Sequence, residues 1–151
     1  MNTARCGRLF RLLRKHGFKA AVTCDPSDIF YFTGLHVNGA YLLFGRDSVK
    51  LFLNSLYPYK RKWTAPLAEL KNIKLGKTAL EPSKFSMAAV SSFRNMTGCT
   101  VIEKEPLFSK IRALKEKAEI KKIDMAQKIS RQLYRRLRFN DGLTERELSS
   151  F

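Results

Sequence analysis

The sequence has few residues of the kinds that build metal centres or disulfide frameworks. It contains two histidines, His16 and His36, and three cysteines, Cys6, Cys24 and Cys99. The histidines form neither an HExxH motif nor a His-x-Asp pair, so no zinc-type spacing is present. An odd number of cysteines without a CxxC pair argues against a disulfide scaffold. We therefore predict free, inert thiols and no metal site in this chain. We also predict no catalytic residue, because no nucleophile is paired with a base.

Long hydrophobic runs and early acidic residues are also missing. No apolar stretch approaches the roughly 18 residues of a membrane-spanning helix, and no secretory signal precedes the first predicted helix. No acid occurs before Asp25, whereas the first 15 residues contain five basic ones: Arg5, Arg8, Arg11, Arg14 and Lys15. This basic start is similar to an organelle transit peptide, but it equally makes an amphipathic first helix. We predict a cytoplasmic protein without a membrane partner, with import into an organelle as the alternative.

Basic residues dominate the charge. Lysine and arginine outnumber aspartate and glutamate by 29 to 13, which gives a net charge of +16. Such a balance favours anionic partners but does not specify a fold. The segment 57–63 interleaves aromatic and basic residues, as proteins that stack bases and neutralise phosphates do. Nucleic acid is thus a candidate partner, although we favour a solvated loop or a subunit contact for this segment.

Apolar residues make up 44% of the chain, and their spacing predicts an α/β fold with a mixed β-sheet flanked by helices, followed by a C-terminal helix. The hairpin runs are almost continuously apolar, which indicates a sheet covered on both faces. The predicted strands are 20–24, 40–44, 49–53, 77–81 and 99–103. The predicted helices are 3–16, 29–32, 66–70, 82–93, one after Pro106 and one over 118–137.

Short polar residues and glycines are expected to set the helix ends. Thr3 is the predicted cap of the first helix and Gly17 its left-handed stop. Asp25 and Asp28 are interpreted as turn and cap acids rather than catalytic groups. Tyr31 is expected to pack its ring and hydrogen-bond its hydroxyl. Thr33 and Gly34 are expected to shape the following turn.

The chain changes character after Pro106, which predicts a domain boundary near residues 114–117. The helix predicted over 118–137 has an apolar stripe with no core in the remaining sequence to cover it. We therefore expect the isolated chain to dimerise or exchange segments.

Short pieces of the sequence, taken in order, resemble one family. The run VTCDPSDIFYFTG at 22–34 resembles the "dpsNi.YLTG" signature in the N-terminal domain of the creatinase, prolidase and aminopeptidase P family. Leu80-Glu81 stands where that family often has "gvE". The sequence IRALK at 111–115 is similar to the junction between the family's two domains. The sequence DGLTE at 141–145 is similar to the motif that follows the first helix of its catalytic domain.

The resemblance implies a creatinase/prolidase-type domain over 1–114 and the first helix and turn of a truncated pita-bread catalytic domain over 115–151. The parent protein would be a homodimeric Xaa-Pro metallopeptidase, a hydrolase, that acts on proline-containing peptides. Family peptidases bind two divalent metal ions (Mn, Co or Zn) through two Asp, one His and two Glu. The sequence ends before any of those motifs, so this chain alone is expected to be inactive and to hold no cofactor.

His36, Asn38 and Tyr57 are the candidate substrate-contact residues. His36 and Asn38 lie in the glycine-bounded loop 34–39, which in the family can approach the active site of the same or a neighbouring subunit. The family's "D.RY" after the hairpin reads NSLY here, so only Tyr57 remains of it. The resemblance implies a domain that shapes the homo-oligomer and restricts access to the active site. The alternative is a catalysis-free binding module of the same fold that recognises an anionic protein or nucleic acid.

Overall fold

A computed structural model describes residues 1–46, 48–58, 60–104 and 106–136. The chain divides into two compact units, Met1–Leu114 and Lys115–Phe151. The elements of the first unit are α1 (Thr3–Lys15), β1 (Ala20–Thr23), α2 (Pro26–Thr33), β2 (Tyr41–Phe44), β3 (Val49–Leu53), β4 (Thr64–Pro66), β5 (Lys77–Leu80), α3 (Met87–Thr97), β6 (Thr100–Glu103) and α4 (Phe108–Ala113). Two 3-10 turns lie at Leu67–Asn72 and Pro82–Lys84.

The strands described by the structure form one sheet in the order β4-β3-β2-β1-β5-β6. Strand β2 pairs antiparallel with both β1 and β3, and the hairpin places Phe44 opposite Val49. The other neighbours, β1 with β5, β3 with β4 and β5 with β6, pair in parallel. The prediction of a mixed sheet flanked by helices is therefore confirmed.

Side chains alternate across this sheet and bury a core on each face. Leu42 and Phe44 of β2 join the core formed with α1, α2 and α4, whereas Leu43 between them joins the core formed with α3. The rings of Phe32 and Phe44 meet edge to face in the first core, with centroids 4.8 Å apart. Because strands β1, β2, β3 and β5 each contribute to both cores, the predicted covering of both faces is also confirmed.

Predictions are wrong for the cap of α1, the start of α3 and the type of the helix over 66–70, and hydrogen bonding explains the first two. The cap of α1 is Asn2, whose side chain accepts from the backbone N–H of Arg5 at 3.1 Å, and not Thr3. The helix predicted over 82–93 runs over Met87–Thr97 instead, because Ser86 caps it at the N–H of Ala89. The helix predicted over 66–70 is a 3-10 turn. The preceding residues form β4, a short edge strand that tolerates a proline.

Helix α5 (Lys117–Arg136) belongs to the second unit. It overlaps the helix predicted over 118–137, of which the last residue lies outside the described ranges. Its apolar side chains are exposed: Ile120, Ile123, Met125, Ile129, Leu133 and Tyr134. Within the described residues no helix combines the length and the apolar character needed to cross a bilayer.

Candidate functional site

The loop that joins α2 to β2 is fixed at its start by local hydrogen bonds. Gly34 takes a left-handed conformation (φ 74°) and donates its N–H to the carbonyl of Phe30. The Thr33 hydroxyl donates to the carbonyl of Ile29 at 2.6 Å and accepts from the N–H of Leu35 at 3.1 Å. These contacts confirm that residues 33–34 shape the turn. They also define where the loop leaves the helix.

His36 stacks on the helix that precedes it. Its imidazole lies nearly parallel to the ring of Phe30, with centroids 4.1 Å apart, and both side chains are exposed. The next residue, Val37, is buried in the core of the first unit. A buried anchor beside a stacked ring holds the imidazole in one place while leaving its nitrogens accessible to a ligand.

Asn38 and Tyr57 are brought together. The backbone N–H of Asn38 donates to the phenolic oxygen of Tyr57 at 2.8 Å, and Tyr57 packs half-buried against the core. The side chain of Asn38 is exposed. This bond fastens the loop to the segment that follows the hairpin. The sequence gives no sign of it, since the partners are 19 positions apart.

A cavity of about 860 Å³ opens beside Tyr57 at the edge of the sheet. Its lining includes Lys60 and Arg61 from the aromatic and basic segment 57–63. Trp63 of the same segment packs half-buried against the core instead, and Lys62 is exposed. Tyr59 lies outside the described residues. The segment is thus divided: part of it supports the fold and part of it faces a cavity of ligand size.

Two aspartates at the start of α2 have different roles. Asp25 caps the helix, accepting from the N–H groups of Ser27 and Asp28, as predicted. Asp28 is no cap: it is fully buried, accepts from the Thr23 hydroxyl at 2.9 Å, and pairs with Arg112 of α4 at 2.8 Å. A buried carboxylate with a guanidinium partner ties α2 to α4, which is a structural role.

These surroundings shift the two aspartate pKa values in opposite directions. Burial raises the pKa of Asp28, and the hydrogen bonds from Arg112 and Thr23 offset this only in part. Partial burial also acts against ionisation of Asp25. However, the N–H groups it accepts from and the ammonium of Lys84, 3.5 Å away, lower the pKa of Asp25 below its ordinary value.

Glu81 has a role that the sequence analysis missed. It follows β5, is buried, and its Oε2 accepts from the backbone N–H groups of Leu107, Phe108 and Ser109 at 3.1, 2.6 and 3.0 Å. Its Oε1 accepts from the Ser109 hydroxyl. One carboxylate therefore caps α4 from a distant strand. The only sign of this role in the sequence is that an acidic residue comes directly after a predicted buried strand.

The thiols are free and their surroundings make them poor nucleophiles. Cys6 and Cys99 are buried, and Cys24 is half-buried with its sulfur 3.6 Å from the carbonyl of Lys84. Burial, reinforced by the charge of Asp25, raises the pKa of the Cys24 thiol to about 11. Among the described residues no group of three or more His, Cys, Asp or Glu could hold a metal ion. The motif at 141–145 lies outside them.

The creatinase/prolidase N-terminal domain family matches residues 5–114, which is most of the chain and nearly all of the first unit. The chain belongs to this family. The match confirms the resemblance carried by the signature at 22–34. A comparison with curated proteins finds no significant match. As a creatinase/prolidase N-terminal domain, the first unit carries Tyr31 of the signature as a structural residue, since its buried hydroxyl donates to the carbonyl of Ile111 at 3.3 Å.

Solved structures share the fold of this creatinase/prolidase N-terminal domain. A prolidase from Pyrococcus horikoshii is 17% identical with a TM-score of 0.83, over 98% of this chain and 46% of that one. A dipeptidase from the same organism is 21% identical with a TM-score of 0.76, over 95% and 47%. The N-terminal domain of the cytoplasmic peptidase PepQ from Mycobacterium tuberculosis is 13% identical with a TM-score of 0.63, over 73% and 99%. The chain thus spans less than half of each Pyrococcus enzyme.

Proposed function

We propose that this chain is the non-catalytic N-terminal part of a longer Xaa-Pro peptidase, in which the loop 34–39 lines the entrance to the active site. The observation that supports this is the fixed geometry of the loop. Val37 is buried, the N–H of Asn38 bonds to Tyr57, and His36 stacks on Phe30. The polar groups of His36 and Asn38 are left to face outward on a rigid support.

The chemistry of these side chains suits peptide binding. The His36 imidazole and the Asn38 amide can each donate and accept hydrogen bonds, which are the interactions that a peptide backbone and a terminal carboxylate offer. A loop held at three points resists displacement by a long substrate. It would therefore restrict the active site to short peptides with proline after the scissile bond, without taking part in the bond cleavage.

The metal ions of such a peptidase belong to its catalytic domain in this proposal. The described residues do not fit a two-metal centre, since no cluster of potential ligands occurs among them. The domain would bind short peptides and exclude long ones, and the hydrolytic step would take place elsewhere in the longer protein.

A cytoplasmic homodimer completes the proposal. Free thiols suit a reducing compartment, and the exposed apolar residues of α5 are suited to burial against other protein surface. The proposed substrate, a proline-containing peptide, would meet the domain only in the assembled enzyme.

The test is kinetic and uses the longer protein. His36→Ala and Asn38→Ala should each raise KM for a Xaa-Pro dipeptide by about three- to tenfold while changing kcat less than about twofold, because they remove binding that is equal in ground and transition states. His16→Ala, which alters an exposed histidine at the end of α1, is the matched control. Unchanged KM in both loop variants would refute the role of the loop.

A second candidate is a binding module for an anionic partner. The observation that favours it is the cavity beside Tyr57, which Lys60 and Arg61 line and to which no described acidic residue contributes. If this cavity contacts phosphates, affinity for single-stranded nucleic acid should fall steeply with rising salt and weaken further in the Lys60→Glu/Arg61→Glu variant. Flat or undetectable binding at physiological salt would eliminate it.

A further inference from the structure

Helices α1 and α4 pack side by side and leave a groove of about 430 Å³ between them. Its apolar floor consists of Leu12 and Ile111, and Leu114 lines the groove beside them. Ile111 is buried and Leu12 half-buried, whereas Leu114 is 61% exposed. An exposed leucine beside a recessed apolar floor is a surface that an apolar side chain of another molecule can cover.

The rim of the groove is entirely basic. Arg8, Arg11 and Lys15 recur along α1 at spacings of three and four, so they share one helix face, and Lys110 of α4 adds a fourth cation. Neither helix contains an acidic residue. In the part of the chain that the structure describes, no acidic side chain pairs with Arg11, Lys15 or Lys110.

We propose that this α1–α4 groove docks an acidic amphipathic segment of a protein partner. The segment's apolar side chains would cover the floor and its carboxylates would lie over Arg11, Lys15 and Lys110 of the rim. The basic rim requires a partner with negative charge, and the apolar floor requires a partner with apolar side chains, which a protein segment supplies. The proposal concerns the first unit alone and does not depend on the peptidase function.

Two other anionic partners fit the groove less well. A nucleic acid backbone satisfies cations but has no apolar group to reach Leu12 and Ile111. An anionic membrane presents a broad plane, whereas Ile111 is buried and Leu12 half-buried. An amphipathic peptide helix carries both the charge and the narrow apolar ridge that the groove requires.

The experiment measures binding of a fluorescent peptide to the full chain by anisotropy at roughly 150 mM salt. The probe is a helical peptide of about 20 residues with leucine on one face and glutamate on the other, and its matched control is a scrambled peptide of identical composition. We expect measurable binding of the amphipathic peptide and at least about tenfold weaker binding of the scrambled one.

Charge-reversal variants distinguish binding at the groove from binding caused by the net charge of the chain. Arg11→Glu/Lys15→Glu should weaken peptide binding by at least about tenfold. Lys71→Glu/Lys74→Glu makes the same change in net charge at exposed residues beside the other core, and should weaken it less than about threefold. Leu114→Gln, at an exposed position, should weaken it by about three- to tenfold. Circular dichroism confirms that each variant folds.

Several outcomes would overturn the proposal. One is an equal loss of affinity for the amphipathic peptide in the two charge-reversal variants. Another is binding of the scrambled peptide as tight as that of the amphipathic one. Absence of binding, or indifference to Leu114→Gln, would do the same. A single-stranded DNA of about 20 nucleotides and phosphatidylserine vesicles are tested in parallel. If either binds more tightly than the peptide and depends on Arg11 and Lys15, the occupant is a nucleic acid or a membrane instead.

Discussion

The backbone N–H of Asn38 donates a 2.8 Å hydrogen bond to the hydroxyl of Tyr57, which lies 19 positions further along the chain. Through this bond the segment after the hairpin holds the loop that follows α2. Two of the three candidate contact residues therefore form one structural unit, and the third, His36, lies on the same loop.

Tyr57→Phe should loosen the loop without disturbing the core. The ring remains to pack, but the N–H of Asn38 loses its partner, at a cost of about 0.5 kcal/mol for an exposed hydrogen bond. Hydrogen exchange should show faster exchange of the Asn38 amide. Tyr41→Phe is the matched control, because that half-buried hydroxyl makes no hydrogen bond to the described residues. Equal protection of Asn38 in both variants would show that the bond does not hold the loop.

Glu81→Ala should destabilise the first unit by about 2–4 kcal/mol, because three backbone N–H groups and the Ser109 hydroxyl lose one shared acceptor. Glu81→Gln, which keeps an oxygen acceptor, should cost less. Urea unfolding measures both. Glu103→Ala, at an exposed position of β6, should change the free energy of unfolding by less than about 0.5 kcal/mol. A loss of that small size at Glu81 would mean that the carboxylate does not cap α4.

The role of Glu81 shows where sequence reasoning reaches its limit. The stops at Gly17 and Gly34, the cap by Asp25 and the hairpin depend on residues a few positions apart, so composition and spacing predict them. Glu81 and its backbone donors are 26 to 28 positions apart, and Asp28 and Arg112 are 84 apart. Such pairings exist only once the sheet brings the elements together, so the same analysis could not assign Asp28 correctly.

The two aspartates of α2 should give opposite pH dependences of stability. The folded state lowers the pKa of Asp25 below its ordinary 3.8, so its contribution is complete above that value and is lost as the pH falls. The folded state raises the pKa of Asp28, so the wild type loses stability as the pH rises from 3.8 through the raised pKa.

Urea unfolding of Asp25→Asn and Asp28→Asn between about pH 2.5 and 6 measures these slopes. The free energy of unfolding of the wild type should exceed that of Asp25→Asn by less and less as the pH falls. The free energy of unfolding of the wild type, relative to that of Asp28→Asn, should instead fall as the pH rises. Parallel curves for the wild type and both variants would contradict the assigned shifts.

The exposed apolar residues of α5 predict self-association of the chain. Ile123→Glu should shift light scattering from dimer to monomer, because it places a charge on the apolar face. Gln132→Glu adds the same charge to the polar side of the same helix and should leave the mass unchanged. A wild-type chain that is already monomeric at micromolar concentration would contradict this prediction.

The central claim is that this creatinase/prolidase N-terminal domain serves a catalytic domain carried by a longer polypeptide. The most direct measurement is a parallel assay of a Xaa-Pro dipeptide with Mn²⁺, using the purified 151-residue chain and the product of the complete reading frame. We expect hydrolysis by the longer product and none by the chain alone. Hydrolysis by the purified chain, or its absence from both, would contradict the account.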